Sequence, residues 1–327
     1  MFADFRKGRM NDSSEKPGQA EYREQVTTRS QPGPEFFSAA QHPVHKVFVG
    51  PAGLRSGWRV LLFVLMATAI GVALVAATLR WHPQGAGRLW QGWLSELALF
   101  LAVTAASLLM ARIEKRPWGN YGLPARAAFG KNFWVGALWG FLWLTMMMLV
   151  MRAGGVFYFG GLAVHGVRIL RFAAFYGLLF LTVGFFEESA MRGYAQFTLT
   201  QGIGFWPAAI LLSALFGAAH LGNSGEAWLG ILAAALIGLF LCLTLRRTGT
   251  LWFAVGFHAS WDWGESYFYS VPDSGAMVPG HLLNSSFHGS RWLTGGSVGP
   301  EGSALVLVII ALMWLAFDRM YPTRKAA

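Results

Sequence analysis

Two adjacent carboxylates and an arginine follow a long apolar run near the middle of the chain. Glu187 and Glu188 come directly after apolar residues 172–186, and Arg192 lies four positions beyond Glu188. An ionisable side chain at membrane depth costs roughly 2.5–3.5 kcal/mol on insertion scales, so such residues are usually functional. On a helix, Glu188 and Arg192 share a face and can pair, whereas Glu187 is rotated about 100° away. We therefore expect Glu187 to be free for chemistry, with Glu188 and Arg192 in support.

Two other apolar segments each carry a histidine. His220 ends the apolar run 211–220 and lies four positions after Phe216, while His258 lies four positions before Asp262. Residues at this spacing share a helix face. The remaining histidines fall in the tail and loops: His42, His45, His82, His165, His281 and His288.

Carboxylates and imidazoles that converge inside a helix bundle suit two kinds of chemistry. One is activation of a water molecule, with glutamate as general base and histidine as electrophile or orienting group. The other is a divalent metal site, for example zinc, that lowers the pKa of its bound water to about 7. The candidate metal ligands are the same residues as the candidate catalytic residues: Glu187, His220, His258 and Asp262. The sequence lacks a His-Glu-x-x-His signature, so both a metal-dependent and a metal-free site stay open.

The segments that hold these residues are predicted to be membrane-spanning helices. The chain of 327 residues is 54% hydrophobic and 13% charged, about half the charged fraction of an ordinary soluble chain. We predict an all-α, polytopic transmembrane bundle of about eight spans, since each apolar run is near the roughly 20 residues needed to cross a bilayer. The predicted spans are 58–79, 90–111, 132–151, 170–190, 204–221, 228–245, 250–269 and 303–318.

The flanking segments complete the predicted organisation. Residues 1–50 are polar and carry both charge signs, which is typical of a disordered tail. Residues 51–327 form the predicted transmembrane domain, with 170–270 as its catalytic core. The loop 264–302 is rich in glycine and serine, and a loop of this length is either functional or mobile. Glu96, near the start of the second span, is expected at the interface, and Glu265 is expected at the mouth of a pocket.

Charge distribution bears on location and partners. The net charge is +10, and the basic residues lie mainly in tails and loops beside apolar spans. This pattern follows the rule that cytoplasmic loops are rich in Lys and Arg better than it fits a nucleic-acid interface. We expect a multi-pass protein of the plasma or inner membrane with both termini cytoplasmic. The lipid bilayer is an expected partner, and nucleic acid is not. Cys242 is the single cysteine, so the chain cannot form an internal disulfide.

The three polar clusters together resemble the motifs of the CPBP family of intramembrane proteases, which includes type II CAAX prenyl endopeptidases and bacteriocin-processing, Abi-like enzymes. The first motif, Glu-Glu-x-x-x-Arg, is similar to residues 187–192, and the second, Phe-x-x-x-His, to residues 216–220. The third, His-x-x-x-Asn or Asp, is similar to residues 258–262. Each motif is short, and their order and spacing in successive apolar spans make the combination specific.

The resemblance implies an intramembrane endopeptidase that hydrolyses a peptide bond of a membrane-associated or lipophilic peptide or protein. It implies that Glu187 is the general base, helped by His220. His258 and Asp262 would stabilise the oxyanion or hold a metal, since relatives are described both as metalloproteases and as glutamate-dependent enzymes. The prenyl-protein proteases have Asn where this chain has Asp262. An ionised Asp cannot donate a hydrogen bond to an oxyanion as Asn can.

A non-catalytic membrane protein is the alternative. Intramembrane Glu, His and Asp side chains also form proton relays, so a proton-coupled carrier would use the same residue types. A scaffold that binds a partner is the other form of this alternative. Carriers often contain internal repeats with broken helices, and the sequence shows no such repeat, which favours the enzyme.

Overall fold

The computed structural model describes residues 47–50, 53–80, 87–223, 225 and 228–322. The predicted N-terminal tail, up to residue 46, lies outside these residues, as do the C-terminal cations Arg324 and Lys325. The long helices before the candidate site are α1 (Ser56–Arg80), α2 (Arg88–Ile113) and α3 (Lys131–Ala153). The site region contains α4 (Val167–Arg192), α5 (Tyr194–Ile203), α6 (Phe205–Ala219), α7 (Trp228–Thr248) and α8 (Trp252–Asp262). Helices α9 (Arg291–Thr294) and α10 (Ala304–Met320) follow.

The predicted helical class is confirmed, and the chain is a multi-pass membrane protein. Among the described residues, six helical segments are long and apolar enough to cross a membrane: Ser56–Arg80, Leu89–Ile113, Lys131–Ala153, Val167–Ile203, Phe205–Gly222 and Trp228–Thr248. The fourth predicted span continues past Arg192 through Gly193 into α5, giving a segment of 37 residues.

The last two predicted spans are helical but are not among these six segments. Helix α8 has 11 residues and α10 has 17. An α-helix of the length of α8 rises about 16 Å, roughly half of a bilayer core. It continues as a π-helical turn, Trp263–Phe268, and such turns are frequent at functional sites. Apolar windows in the sequence predicted the helical character of this segment but not the change of helix type after Asp262.

Helix α8 lies at the centre of the bundle, packed between α3 and α4. Gly136 and Gly140 of α3 face the backbone carbonyls of Phe253 and Phe257, so a side-chain carbon at either glycine would clash with α8. Small residues allow two helices to approach closely in this way. The close contact fixes the position of His258, the residue after Phe257.

Backbone contacts place the connections at two ends of the bundle. At one end, Leu251 N donates to Gly122 O at 2.7 Å, which joins the connection after α7 to the one after α2. Arg247 of α7 pairs with Asp318 of α10 at this same end. We call it the cationic end, because Lys115, Arg116 and Arg126 also lie in the connection after α2. The side of the membrane that it faces stays a prediction.

The 264–302 loop lies at the opposite end and is ordered. Two short strands, β3 (Phe157–Tyr158) and β4 (Ser286–Phe287), pair antiparallel and tie the loop to the connection between α3 and α4. Ala163 N also donates to Leu282 O at 2.8 Å, and Asn284 N donates to Gly161 O at 2.9 Å. A second pair, β1 (Val49–Gly50) and β2 (Gly53–Leu54), precedes α1.

Candidate active site

The end of α4 holds a buried ion pair. Arg192 Nη1 donates to Glu188 Oε1 at 3.1 Å, and the two side chains are 1% and 0% exposed. The guanidinium also lies over the ring of Phe216 at 4.5 Å from its centroid. A side-chain carbon at Gly238 of α7 would lie 2.5 Å from Arg192 Nη2, so glycine there makes room for the cation. The pair that the i,i+4 spacing indicates is therefore formed and enclosed.

His258 joins the pair to two further carboxylates. Its Nδ1 lies 2.9 Å from Glu188 Oε1. Its Nε2 lies 3.3 Å from Glu187 Oε2 and 3.5 Å from Asp262 Oδ2. Carboxylate oxygens accept hydrogen bonds, so this environment suits a ring that donates through both nitrogens. Three of the six predicted site residues, Glu187, Glu188 and Asp262, therefore contact His258.

Glu187 and Glu188 have different environments although they are adjacent in sequence. The Glu187 side chain is 27% exposed and lines a cavity, whereas Glu188 is fully buried beside Arg192 and His258. The 100° rotation between successive helical residues explains the difference. Of the two, Glu187 is the carboxylate within reach of a water molecule or substrate.

His220 lies at the end of α6 and faces the same cavity. Its Nδ1 is 2.8 Å from the carbonyl oxygen of Phe216. A carbonyl oxygen only accepts, so Nδ1 must carry the proton, and in the neutral ring Nε2 is then an acceptor. The ring of Phe216 packs edge-on against His220 at 4.9 Å, and the same ring lies under Arg192. The second motif is therefore packed directly on the first.

The cavity has a volume of about 560 Å³ and is lined by α2, α4, α6, α7, α8, α10 and the 264–302 loop. Glu187, His220, His258 and Asp262, the four predicted catalytic residues, all line it. Its apolar lining includes Phe180, Val183, Phe186, Met191 and Ile310. A pocket of this size with a few convergent polar groups is the usual form of a binding site for an organic substrate.

A divalent metal does not fit the described side chains. Among them, no group of three His, Cys, Asp or Glu is placed to hold a metal ion. His258 directs both nitrogens at carboxylates, and Glu188 is held by Arg192. The candidate ligands thus contact one another or Arg192, and the reaction proposed below does not use a metal.

Several polar residues of the cavity were not predicted from sequence. Ser266, Asp273, Ser274 and Glu301 reach the cavity from the long loop. Their signal was limited to polar residues in a segment rich in glycine, and nothing local indicated how the loop folds back. One expectation about a single residue also changes: Glu265 was expected at the mouth of a pocket but is 0% exposed. Glu96 lines the cavity, and its position at the membrane interface stays a prediction.

Comparison with known families agrees with this geometry. Residues 169–264 match the family model described as type II CAAX prenyl endopeptidase Rce1-like. The chain carries an Rce1-like domain. The matched stretch contains all three motifs and the residues that surround His258, so the resemblance predicted from the motifs is confirmed. No curated protein matches the chain. The matched family consists of proteases, so the match implies a protease with a membrane setting and protein substrates in general.

Proposed function

We propose that the protein is an intramembrane endopeptidase in which Glu187 is the general base that activates a water molecule. The observation that carries this role is the contrast between the two adjacent glutamates. Glu188 is enclosed by Arg192 and His258, while Glu187 faces the cavity. A general base must be within hydrogen-bond reach of the proton that it takes, and Glu187 is the member of the pair that meets this requirement.

The positions of the other side chains support the following reaction. Glu187 takes one proton from water while His220 Nε2 accepts a hydrogen bond from the other and orients the oxygen. The hydroxide adds to the peptide carbonyl carbon, and His258 Nε2 donates to the oxyanion that forms. Protonated Glu187 then returns the proton to the amide nitrogen as the carbon–nitrogen bond breaks. The products are a carboxylic acid and an amine. An N–H aimed at a developing oxyanion is among the largest contributions in acyl transfer.

Asp262 has a supporting part in this scheme. Its carboxylate lies 3.5 Å from His258 Nε2, so it holds the ring in place and cannot itself donate to the oxyanion while ionised. The substrate class that fits is a membrane-associated or lipophilic peptide or protein, because the remaining cavity wall is largely apolar. The prenyl-protein proteases have Asn at the position of Asp262. For this reason we do not extend their prenylated substrates to this protein.

Replacement of the base tests the proposal. Glu187→Gln keeps the size of the side chain and removes its basicity, so kcat should fall by about 10²–10⁴-fold with little change in KM. Cleavage is measured with the protein in lipid vesicles and a lipophilic, internally quenched peptide. Asp318→Asn, at an exposed carboxylate of the cationic end, is the matched control and should retain activity.

Two results would contradict the proposal. Full cleavage by the Glu187→Gln protein would remove the assigned base. A proton flux in vesicles that depends on Glu187, without proteolysis, would favour the alternative of a proton-coupled carrier.

A further inference from the structure

The wall of the cavity formed by the 264–302 loop carries carboxylates that the proposed reaction does not use. Asp273 and Glu301 line the cavity there. Each is held by neutral donors: Ser266 Oγ donates to Asp273 Oδ2 at 2.9 Å, and Ser274 Oγ donates to Glu301 Oε2 at 3.1 Å. Within the ranges that the structure describes, neither carboxylate pairs with a Lys, Arg or His. Among these described residues, no ion pair therefore neutralises either carboxylate.

A third carboxylate lies behind these two. Trp261 Nε1 is 2.9 Å from Glu265 Oε2 and 3.2 Å from Glu301 Oε1, so one N–H is shared by two carboxylates. Glu265 is 0% exposed, and its Oε1 has no hydrogen-bond partner among the described residues. This oxygen lies against Gly299, where a side-chain carbon would be 3.4 Å away. A buried, unpaired carboxylate oxygen is costly, and a cationic ligand at this wall would reduce the cost.

The ionisable side chains that line the rest of the cavity are also mainly acidic. Its described lining contains five carboxylate side chains and two histidines, and no Lys or Arg. The carboxylates are those of Glu96, Glu187, Asp262, Asp273 and Glu301. A cleft lined by one sign of charge concentrates ligands of the other sign, and complementary charge gives specificity and orientation more than raw affinity.

We infer that Asp273 and Glu301, with Glu265 behind them, form a subsite for a cationic side chain of the substrate, a lysine or an arginine. We call these three residues the cation subsite. The inference rests on the proposed function and makes it more specific. Trp261, which contacts both Glu265 and Glu301, lies three residues after His258 in the same helix. The bound cation would therefore lie close to the scissile peptide bond, and the substrate would be a lipophilic segment with a basic residue beside the cleavage site.

The test uses matched peptides and the full-length protein in detergent micelles. The probes are leucine-rich, internally quenched peptides in which one position, scanned along the sequence, holds Lys, Arg or Gln. Each is made with a free and with an acetylated amino terminus, because a terminal ammonium has the same chemistry as a lysine. We expect Lys or Arg at one position to raise kcat/KM by roughly 30-fold over Gln, the usual scale for a buried charge pair.

Variants of the subsite residues test whether the cation subsite causes that preference. Glu301→Gln and Asp273→Asn are close in size to the native residues, and each should reduce the preference for Lys or Arg over Gln to a few-fold. The control Asp318→Asn should keep the full preference. Equal cleavage of the Lys and Gln peptides at every position, or a preference that survives both variants, would overturn the inference. A preference that follows only the free amino terminus would do the same.

The failure of this inference can be distinguished from failure of the proposed function. Cleavage of the Gln peptide that depends on Glu187, with no preference for cations, leaves the enzyme in place and removes the subsite. If no peptide is cleaved, fluorescence anisotropy of labelled Lys and Gln peptides still measures binding. Tighter binding of the Lys peptide that is lost in Glu301→Gln would then support the subsite alone, and equal binding would overturn it.

Discussion

Carboxylates at the two ends of the bundle have different hydrogen-bond partners. At the cationic end, Glu114 receives hydrogen bonds from Arg59 and Tyr194 and lies 3.6 Å from Arg116 Nε. Gln201 accepts from the same two arginines, at 3.1 and 3.2 Å. At the opposite end, Asp273 and Glu301 receive hydrogen bonds from serine and tryptophan alone among the described residues. We call the first group the Glu114 network, in contrast to the cation subsite.

We interpret the difference as a division between carboxylates that stabilise the fold and carboxylates that are available to bind a ligand. Burying a carboxylate costs free energy unless a cation or several hydrogen bonds compensate it. The Glu114 network supplies cations from α1 and from the connection after α2, and so ties together segments that are distant in sequence. The cation subsite lacks this compensation within the described chain, although it is equally enclosed by the fold. The two adjacent glutamates combine both cases, because Glu188 is paired with Arg192 and Glu187 is exposed to the cavity.

The largest effect is expected from breaking the compensated pair inside the catalytic region. Arg192→Met leaves Glu188 buried beside His258 without its strongest partner. Removal of one member of a buried ion pair costs about 3–5 kcal/mol, so the midpoint of unfolding in detergent should fall clearly and cleavage should be lost. Arg192→Lys is the matched control, since it keeps the charge and should lose less stability. An unchanged unfolding midpoint for Arg192→Met would show that the pair does not stabilise the fold.

The sequence predicted what depends on local spacing. The i,i+4 relations placed Arg192 next to Glu188 and Asp262 next to His258, and helical rotation separated Glu187 from Glu188. These relations hold within one helix and need no knowledge of the tertiary fold. Three motifs on successive apolar segments also indicated that their side chains converge. The functional roles of these residues stay predictions.

The sequence did not predict what depends on distant parts of the chain. Asp273 and Glu301 reach the cavity from a loop that β3 and β4 tie to the connection between α3 and α4, across more than a hundred residues. Glu265 is buried within the π-helical turn that follows Asp262. Neither event has a local signal, since two-residue strands and single π turns leave no periodic pattern.

A smaller effect is expected from opening the Glu114 network. Glu114→Gln keeps the shape of the side chain but removes the charge that Arg59 and Arg116 face. Hydrogen bonds to charged groups contribute about 1.5–3 kcal/mol, so unfolding in detergent should require less denaturant while kcat/KM of the folded protein is unchanged. Asp318→Asn, at a half-exposed ion pair, should cost at most about 1 kcal/mol. Lost cleavage by a folded Glu114→Gln protein would mean that this end also takes part in catalysis.

The smallest effect concerns the pH dependence of the cation subsite. Burial and the neighbouring Glu301 raise the pKa of Asp273 to about 8. Below that pH the carboxyl is mostly neutral, and above it the carboxylate attracts a cation more strongly. The other charged groups around Asp273 are Glu187, His258, Asp262 and Glu265. Preference for a Lys over a Gln peptide should therefore increase as pH rises from about 7 to about 9, by up to about tenfold, while lysine itself stays protonated.

The ratio of the two kcat/KM values is the quantity to measure, because an effect of pH on the catalytic step itself acts on both peptides and cancels. Asp273→Asn is expected to make the ratio independent of pH over this range, since the amide does not titrate. A ratio that falls with rising pH in the native protein would contradict the sign that a raised pKa requires. A ratio that rises equally in Asp273→Asn would assign the titration to another group of the cavity, and Glu301→Gln would then test the nearest carboxylate.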